Sequence, residues 1–388
     1  MITIRKCRWG DKEQRVLHAP SVVGGNATTL SQSLNQIGCP SISVAYEDHK
    51  FVYKPDVVLW KSEYGLLKKE ATRITSVVRA ALGYEVIHFN FGTTMAMPSL
   101  PLPPVVSSFR IRMIREIHFL FTELLQIVEV ALLQLLRRRV FITYQGDDSR
   151  QGDVSREIFE ESIAHHVGCE YYSERTDQIK RRRIRRLSRL VTTTYFVNPD
   201  LASFLPSTSR FIPYCHTEVH GKSIENDKRH SEKFHIIHAP SHQAAKGSDV
   251  IIRVVNELQA AGLPIDFTLV ENVSHSEIGD LLLSADLLID QLYAGWYGGI
   301  AVEALCRGVP VMTYLRRSDF LVVPSSMVQD LPIISVDKTS LKESIVRFIN
   351  YDDETQRSLR SAGIRFSTKW HNPQTIAEQL VLQYFPKI

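Results

Sequence analysis

Short apolar runs alternate with longer amphipathic segments from residue 15 almost to the carboxyl end. Arg15-Val-Leu-His-Ala-Pro20, Ser41 to Tyr46, Glu85 to Asn90 and Val140 to Tyr144 read as strands, with a weaker run at 56–59. Unbroken apolar runs of this length suit strands covered on both faces of a parallel sheet. Helical patterns lie between them, from about Ala27 to Ile37 and from about Tyr64 to Leu82. The second half repeats the alternation, with strands at Phe234 to Ser241, Ile265 to Glu271, Leu287 to Leu292, Val311 to Leu315 and Pro332 to Val336. Its helices are expected at 248–261, 274–283, from Gly299, at 339–349, and from Asn372-Pro373 to about Tyr384, where Asn is an N-cap and Pro takes the first helical position. Alternation of this kind predicts an α/β fold with doubly wound sheets.

Two stretches interrupt the alternation. Pro98, Pro101, Pro103 and Pro104 lead stiffly into a long apolar segment, Phe109 to Leu136, whose polar residues recur along one helical stripe. Glu123, Gln126 and Glu129 sit in its middle, and each central acid costs about 2.5 kcal/mol or more in a bilayer, so a membrane span is excluded. Two fates are open to its apolar face. Packing on the sheet is the common one, and resting on a membrane surface or a partner, flanked by Arg137-Arg138-Arg139, is the other. Lys180-Arg-Arg-Arg-Ile-Arg-Arg-Leu-Ser-Arg189 is a basic helix with a thin apolar seam, expected to turn most of its charge to solvent or to acidic lipid headgroups. A strand at 193–198 follows it.

Composition narrows the classes. The 388 residues are 44% hydrophobic, enough to bury more than one core, and the length suggests two or three domains. A net charge of +4 is mild, and no aromatics interleave the basic run, so no nucleic-acid partner is expected. Five cysteines, Cys7, Cys39, Cys169, Cys215 and Cys306, have no paired spacing, which argues against a disulfide frame or a zinc site and fits a reducing cytoplasm. Met1 to Gln14 lacks the apolar core of a signal peptide.

Candidate chemistry concentrates after strands. Asp290-Gln291 ends a strand and Gly295, Gly298 and Gly299 punctuate the loop after it, where glycines permit positive φ and close approach to a ligand. A helix starting near Gly299 offers free N–H groups to an anion and puts Glu303 one turn along, able to reach a sugar diol. Lys246, in the loop before a helix start at Ser248, makes a second anion-binding arrangement. Gly24-Gly25-Asn26 forms a turn after the first strand, without dinucleotide spacing. Gln145, Asp147 and Asp148 form the polar tip of the strand at 140–148, and His88 ends another strand. Adjacent aspartates point different ways, so no metal site is expected.

Asp290-Gln291, Gly-Trp-Tyr-Gly-Gly299, Glu303-Ala304 and Gly308-Val-Pro310 together resemble the donor motif of GT-B glycosyltransferases, the retaining family-4-like group. The resemblance implies two Rossmann-like domains with a cleft between them: 1–210 on the acceptor side, 211–365 binding the nucleotide-diphosphate sugar, and 366–388 as a helix crossing back. It implies that Glu303 holds the ribose, that Lys246 and the N–H groups at Gly298 and Gly299 receive the diphosphate, and that Gly24 and Gly25 face the cleft. Gln145 and Asp147 would orient sugar or acceptor, without a metal or cofactor. Two family positions differ: Gly295 replaces a glutamate eight residues before Glu303, and Ser241 replaces an arginine five residues before Lys246, with His242 beside it as a possible substitute. The expected function is transfer to a glycan or lipid-linked acceptor by a cytoplasmic protein, peripheral on the inner membrane face. The alternative is a non-catalytic subunit or nucleotide-binding pseudoenzyme acting through a partner.

Overall fold

A computed structural model describes residues 15–47, 54–96, 109–215, 233–271, 273 and 275–386. The proline cluster at 98–104, the stretch 216–232, Cys7 and the first 14 residues lie outside the described residues. The strands are β1 (Val16–Ala19), β2 (Ser41–Ala45), β3 (Val57–Val58), β4 (Val86–Asn90), β5 (Arg139–Tyr144), β6 (Thr193–Phe196) and β7 (Arg210–Phe211), then β8 (Phe234–His238), β9 (Ile265–Leu269), β10 (Leu287–Ile289), β11 (Val311–Thr313) and β12 (Ile334–Ser335). The helices are α1 (Asn26–Gln36), α2 (Leu66–Gly83), α3 (Phe109–Leu135), α4 (Gly152–Ile158), α5 (Glu174–Ser188), α6 (Gln243–Lys246) and α7 (Ser248–Ala260). They continue with α8 (His275–Leu283), α9 (Gly299–Cys306), α10 (Ser325–Gln329), α11 (Leu341–Ile349), α12 (Asp353–Trp370) and α13 (Pro373–Tyr384).

The strands form two all-parallel sheets, in the orders β3-β2-β1-β4-β5-β6-β7 and β12-β11-β10-β8-β9. The expected α/β class with two doubly wound sheets is what the chain adopts. Strands β1, β2 and β4 are buried at every position, as parallel strands with helices on both faces must be. Helix α13 begins as its sequence predicts, with the Asn372 side chain accepting from Gln374 and Thr375 N–H. It packs on α1, and its Tyr384 sits among Phe141 and His88 of the first sheet. One apolar cluster runs from Val16, Val86 and Phe141 through Tyr384 and Phe366 to Leu288 and Val311, so the two sheets share a core.

Of the two fates open to the apolar face of helix α3, packing on the sheet does not hold for much of it, which is turned outward. Thr122, Gln126, Glu129 and Leu133, one stripe at helical spacing, are buried, while Met113, Ile117, Leu120, Leu124 and Ile127, half a turn away, are exposed. The inward polar groups have strong partners. Glu129 accepts from Met95 and Ala96 N–H at 3.2 and 2.8 Å, and Glu123 pairs with Arg183 and Arg186, both at 2.8 Å. A buried carboxylate is tolerated only with such partners. Burial nevertheless pushes the Glu129 carboxyl up to about 7. On α2, which packs on α3, Leu66, Leu67, Ile74 and Val78 are also exposed.

The basic segments turn much of their charge to solvent, as expected, but bury part of it inside the fold. Within 180–189, Lys180 and Arg183 are buried, and Lys180 donates to the Arg150 carbonyl at 2.6 Å, leaving Arg182, Arg185 and Arg189 exposed. Arg138 donates to the Ala81 carbonyl and Arg139 to the Tyr384 carbonyl, so of 137–139 only Arg137 stands fully in solvent.

Candidate functional site

The carboxyl ends of the two sheets face a pocket of about 390 Å³. Ligands of open parallel sheets bind at this edge, where loops leave the strands in diverging directions. One wall carries Gly24 after β1, Gln145, Gly146, Asp147 and Arg150 after β5, Asn198 after β6, and Tyr171. The other carries Ser241 after β8, Lys246, Gln291 after β10, and Gly298, Gly299 and Glu303 at the start of α9.

On the second wall, the Lys246 ammonium lies 2.9 Å from Asp290 Oδ1, and the Gly298 N–H donates to Asp290 Oδ2 at 2.5 Å. An internal carboxylate therefore occupies the cation and helix-end donor expected to bind an anion. Gly298 has φ −92°, so it is not there for a left-handed conformation, and of the three loop glycines only Gly295 is in that region, at +80°. Gly298 allows a close approach instead: a Cβ there would stand 3.1 Å from Lys246 Nζ and 3.3 Å from Asp290 Oδ2, tighter than side chains usually pack. Glu303 is buried on the same wall, one turn into α9. The glutamate missing at Gly295 has no room, since a Cβ would come within 2.6 Å of Arg316 Nη1 and 2.7 Å of Asp319 Oδ2. Those two residues pair at 2.9 Å and fill the space.

On the first wall, Gln145 is fixed by its neighbours. Its Oε1 accepts from Asn26 Nδ2 at 3.2 Å, its carbonyl from Asn198 Nδ2 at 2.5 Å, and its Nε2 is buried with no hydrogen-bond partner among the described residues. Asp147 accepts from the hydroxyls of Tyr171 and Tyr172. Burial alone would raise its carboxyl, but Arg150 and the two hydroxyls outweigh this and hold it below its ordinary value. It is therefore charged at neutral pH, able to accept a hydrogen bond and poor as a proton source. Asp148 has a different role. It accepts from Gln145 and Gly146 N–H and shapes the strand tip, while burial pushes its carboxyl up to about 6. Arg150 pairs with Asp200 through Nε at 2.6 Å and Nη2 at 3.1 Å.

The pocket thus brings together Gly24, Gln145, Asp147, Ser241, Lys246, Gly298, Gly299 and Glu303. Gly25 does not line it, being buried as the N-cap of α1. His242 does not line it either; its Nδ1 caps α6 by accepting from Ala245 N–H, and its ring lies edge-on to Tyr171. The start of α7 is turned away, with Ser248 buried and bonded to His238. His88 is a core residue bridging Tyr384 and Thr143, and burial lowers its basicity well below the ordinary value. Sequence reasoning missed Arg150, Tyr171, Asn198 and Tyr214. None stands in a recognisable spacing, although the polar run Asp147-Asp-Ser-Arg150 was a local hint. Among the described residues no group of three or more metal-binding side chains occurs.

Chemically, one wall offers an ammonium and helix-end N–H groups and both walls offer carboxylates, a distribution matched to a phosphate ester of a polyol. No protein-family model and no curated protein sequence matches the chain. Among solved structures, a sucrose-phosphate synthase from Thermosynechococcus elongatus is similar over 96% of this chain and 98% of its own, at 14% identity and TM-score 0.56. A glycosyltransferase from Rickettsia africae is similar over 97% of this chain and 98% of its own, at 10% identity and TM-score 0.56. At such identities the likeness is one of fold. The chain has the GT-B architecture that its motifs led one to expect, two Rossmann-like domains facing each other across a cleft.

Proposed function

We propose that the chain is a glycosyltransferase that moves a sugar from a nucleoside-diphosphate sugar to a glycan or lipid-linked acceptor, with retention and without a metal. The observation that carries this reading is the cleft itself: Lys246, Gly298, Gly299 and Glu303 on one wall face Gly24, Gln145 and Asp147 on the other. Glu303 would hold the ribose diol. Lys246 and the α9 N–H groups would leave Asp290 in part and take up the charge that develops on the departing diphosphate, stabilisation worth most where water is excluded. Asp147, held as a carboxylate, would accept from the acceptor or sugar hydroxyl, and Gln145 would fix the sugar by hydrogen bonds.

The proposed workplace is an anionic membrane surface on the cytoplasmic side. Support comes from α3, whose outward stripe is largely apolar while Glu123, Gln126 and Glu129 face inward, and from exposed Arg110, Arg112, Arg115 and Arg137 on or beside the same helix. Apolar side chains at the level of the headgroups with arginines beside them match a charged lipid interface better than a protein surface of mixed sign. No helix among the described residues is long and apolar enough to cross a membrane.

The test is incubation with a panel of uridine, guanosine, adenosine and thymidine diphosphate sugars, reading nucleoside diphosphate release with and without lipid-linked acceptors and with EDTA. Release of one nucleotide, unaffected by EDTA, is expected. Release that needs manganese or magnesium contradicts metal independence. No release from any donor, together with tight nucleotide binding, would favour the pseudoenzyme.

A further inference from the structure

Two cations line the pocket among the described residues, Lys246 on one wall and Arg150 on the other. Lys246 is already matched by Asp290, and the neighbouring position 241 carries a serine, so the second wall alone brings little positive charge to a diphosphate. Arg150 is 8% exposed and held from two sides. Asp200 takes its Nε and Nη2, and Lys180 anchors its carbonyl. Its remaining nitrogen, Nη1, has Asp147 Oδ1 at 3.6 Å, beyond hydrogen-bond distance. A guanidinium can serve a carboxylate with one edge and a phosphate with the other, because its donors form a rigid planar fork. Gly146 keeps that nitrogen accessible: a Cβ at this position would stand 3.1 Å from it. On the same wall lies Gln145, whose Nε2 is a buried donor with no hydrogen-bond partner among the described residues.

We infer that Arg150, with the Gln145 amide on the same wall, is the second cationic ligand of the donor diphosphate, supplied by the first domain in place of the arginine absent at position 241. This rests on the reading of the pocket as a nucleotide-sugar site. The two phosphates are then gripped by opposite walls, Lys246 from one domain and Arg150 from the other, so that donor binding itself holds the cleft together.

The experiment is calorimetric titration of UDP, GDP, ADP and dTDP, and of the corresponding nucleosides, into wild type, Lys246→Ala, Asp200→Asn and the charge-balanced pair Arg150→Gln with Asp200→Asn. The pair should weaken the preferred diphosphate by about tenfold, the worth of one charge-assisted contact, and leave the nucleoside within about twofold. Asp200→Asn alone should tighten the diphosphate, because Arg150 loses its competing carboxylate. Diphosphate affinity unchanged in a pair variant that melts like wild type overturns the inference, and so does unchanged or weakened binding in Asp200→Asn if the pair does not fold. Loss of binding in Lys246→Ala with none in the pair leaves the nucleotide site standing and removes Arg150 from it. A wild type that binds no diphosphate overturns both.

Discussion

Asp290 is the residue on which the pocket's electrostatics turn. Its carboxylate takes both the Lys246 ammonium and the Gly298 N–H, the groups assigned to the diphosphate, so an incoming phosphate must compete with it. Asp290→Asn keeps the shape and removes the competing charge. It should tighten nucleoside diphosphate binding several-fold and steepen its salt dependence, measured by titration at two ionic strengths. Weaker binding in that variant would mean that Asp290 serves the ligand through Lys246 and does not oppose it. Lys246→Ala should cost about 1.5 kcal/mol or more, because a charge-assisted contact is lost and Asp290 is left as an uncompensated buried charge. The second wall was legible because a strand, a glycine loop and a helix start carry their own spacing in the sequence. Arg150 and Tyr171 were not, since they reach the pocket through packing between segments that no local pattern records.

Helix α3 separates what periodicity can and cannot give. The 3.6-residue repeat located the helix to within a residue at each end, from the contrast between its two faces alone. It did not say which face is inside, because burial of Gln126 and Glu129 depends on Thr94, Met95 and Ala96, and that of Glu123 on Arg183 and Arg186, all distant in the chain. Glu129 makes the helix sensitive to pH. With its carboxyl raised from 4.5 to about 7 in the folded chain, the native state binds more protons than the unfolded state between these values. The associated stability is present below about pH 4.5 and is lost as pH rises through 7, on the order of 3 kcal/mol at most. Melting between pH 5 and 8 should therefore show a fall that Glu129→Gln flattens; an equally steep fall in the variant would locate the dependence elsewhere. The outward face has its own prediction. Leu120→Glu with Leu124→Glu should leave the melting temperature nearly unchanged and abolish co-sedimentation with anionic vesicles at low salt, whereas Leu133→Ala, in the core, should cost about 2–5 kcal/mol. Equal, negligible pelleting of wild type with anionic and neutral vesicles would remove the membrane from the account.

At the scale of the whole molecule, the alternation of strand and helix was sufficient for two parallel sheets. The Asn372-Pro373 start was sufficient for helix α13, and its packing on α1 with Tyr384 against the first sheet joins the two halves through a shared core. Such a joint leaves the cleft between the sheet edges as the natural place for a ligand that touches both domains. The most direct measurement of the central claim is the melting temperature of wild type and of Lys246→Ala against increasing UDP, GDP, ADP and dTDP, with the matching nucleosides as controls. A ligand that binds only the folded chain stabilises it by about 2.7 kcal/mol at a hundredfold excess over its dissociation constant. One nucleoside diphosphate is expected to raise the wild-type melting temperature with concentration, its nucleoside to do so less, and Lys246→Ala to reduce the difference. No shift with any of the four at millimolar concentration, or an equal shift in Lys246→Ala, would contradict this expectation.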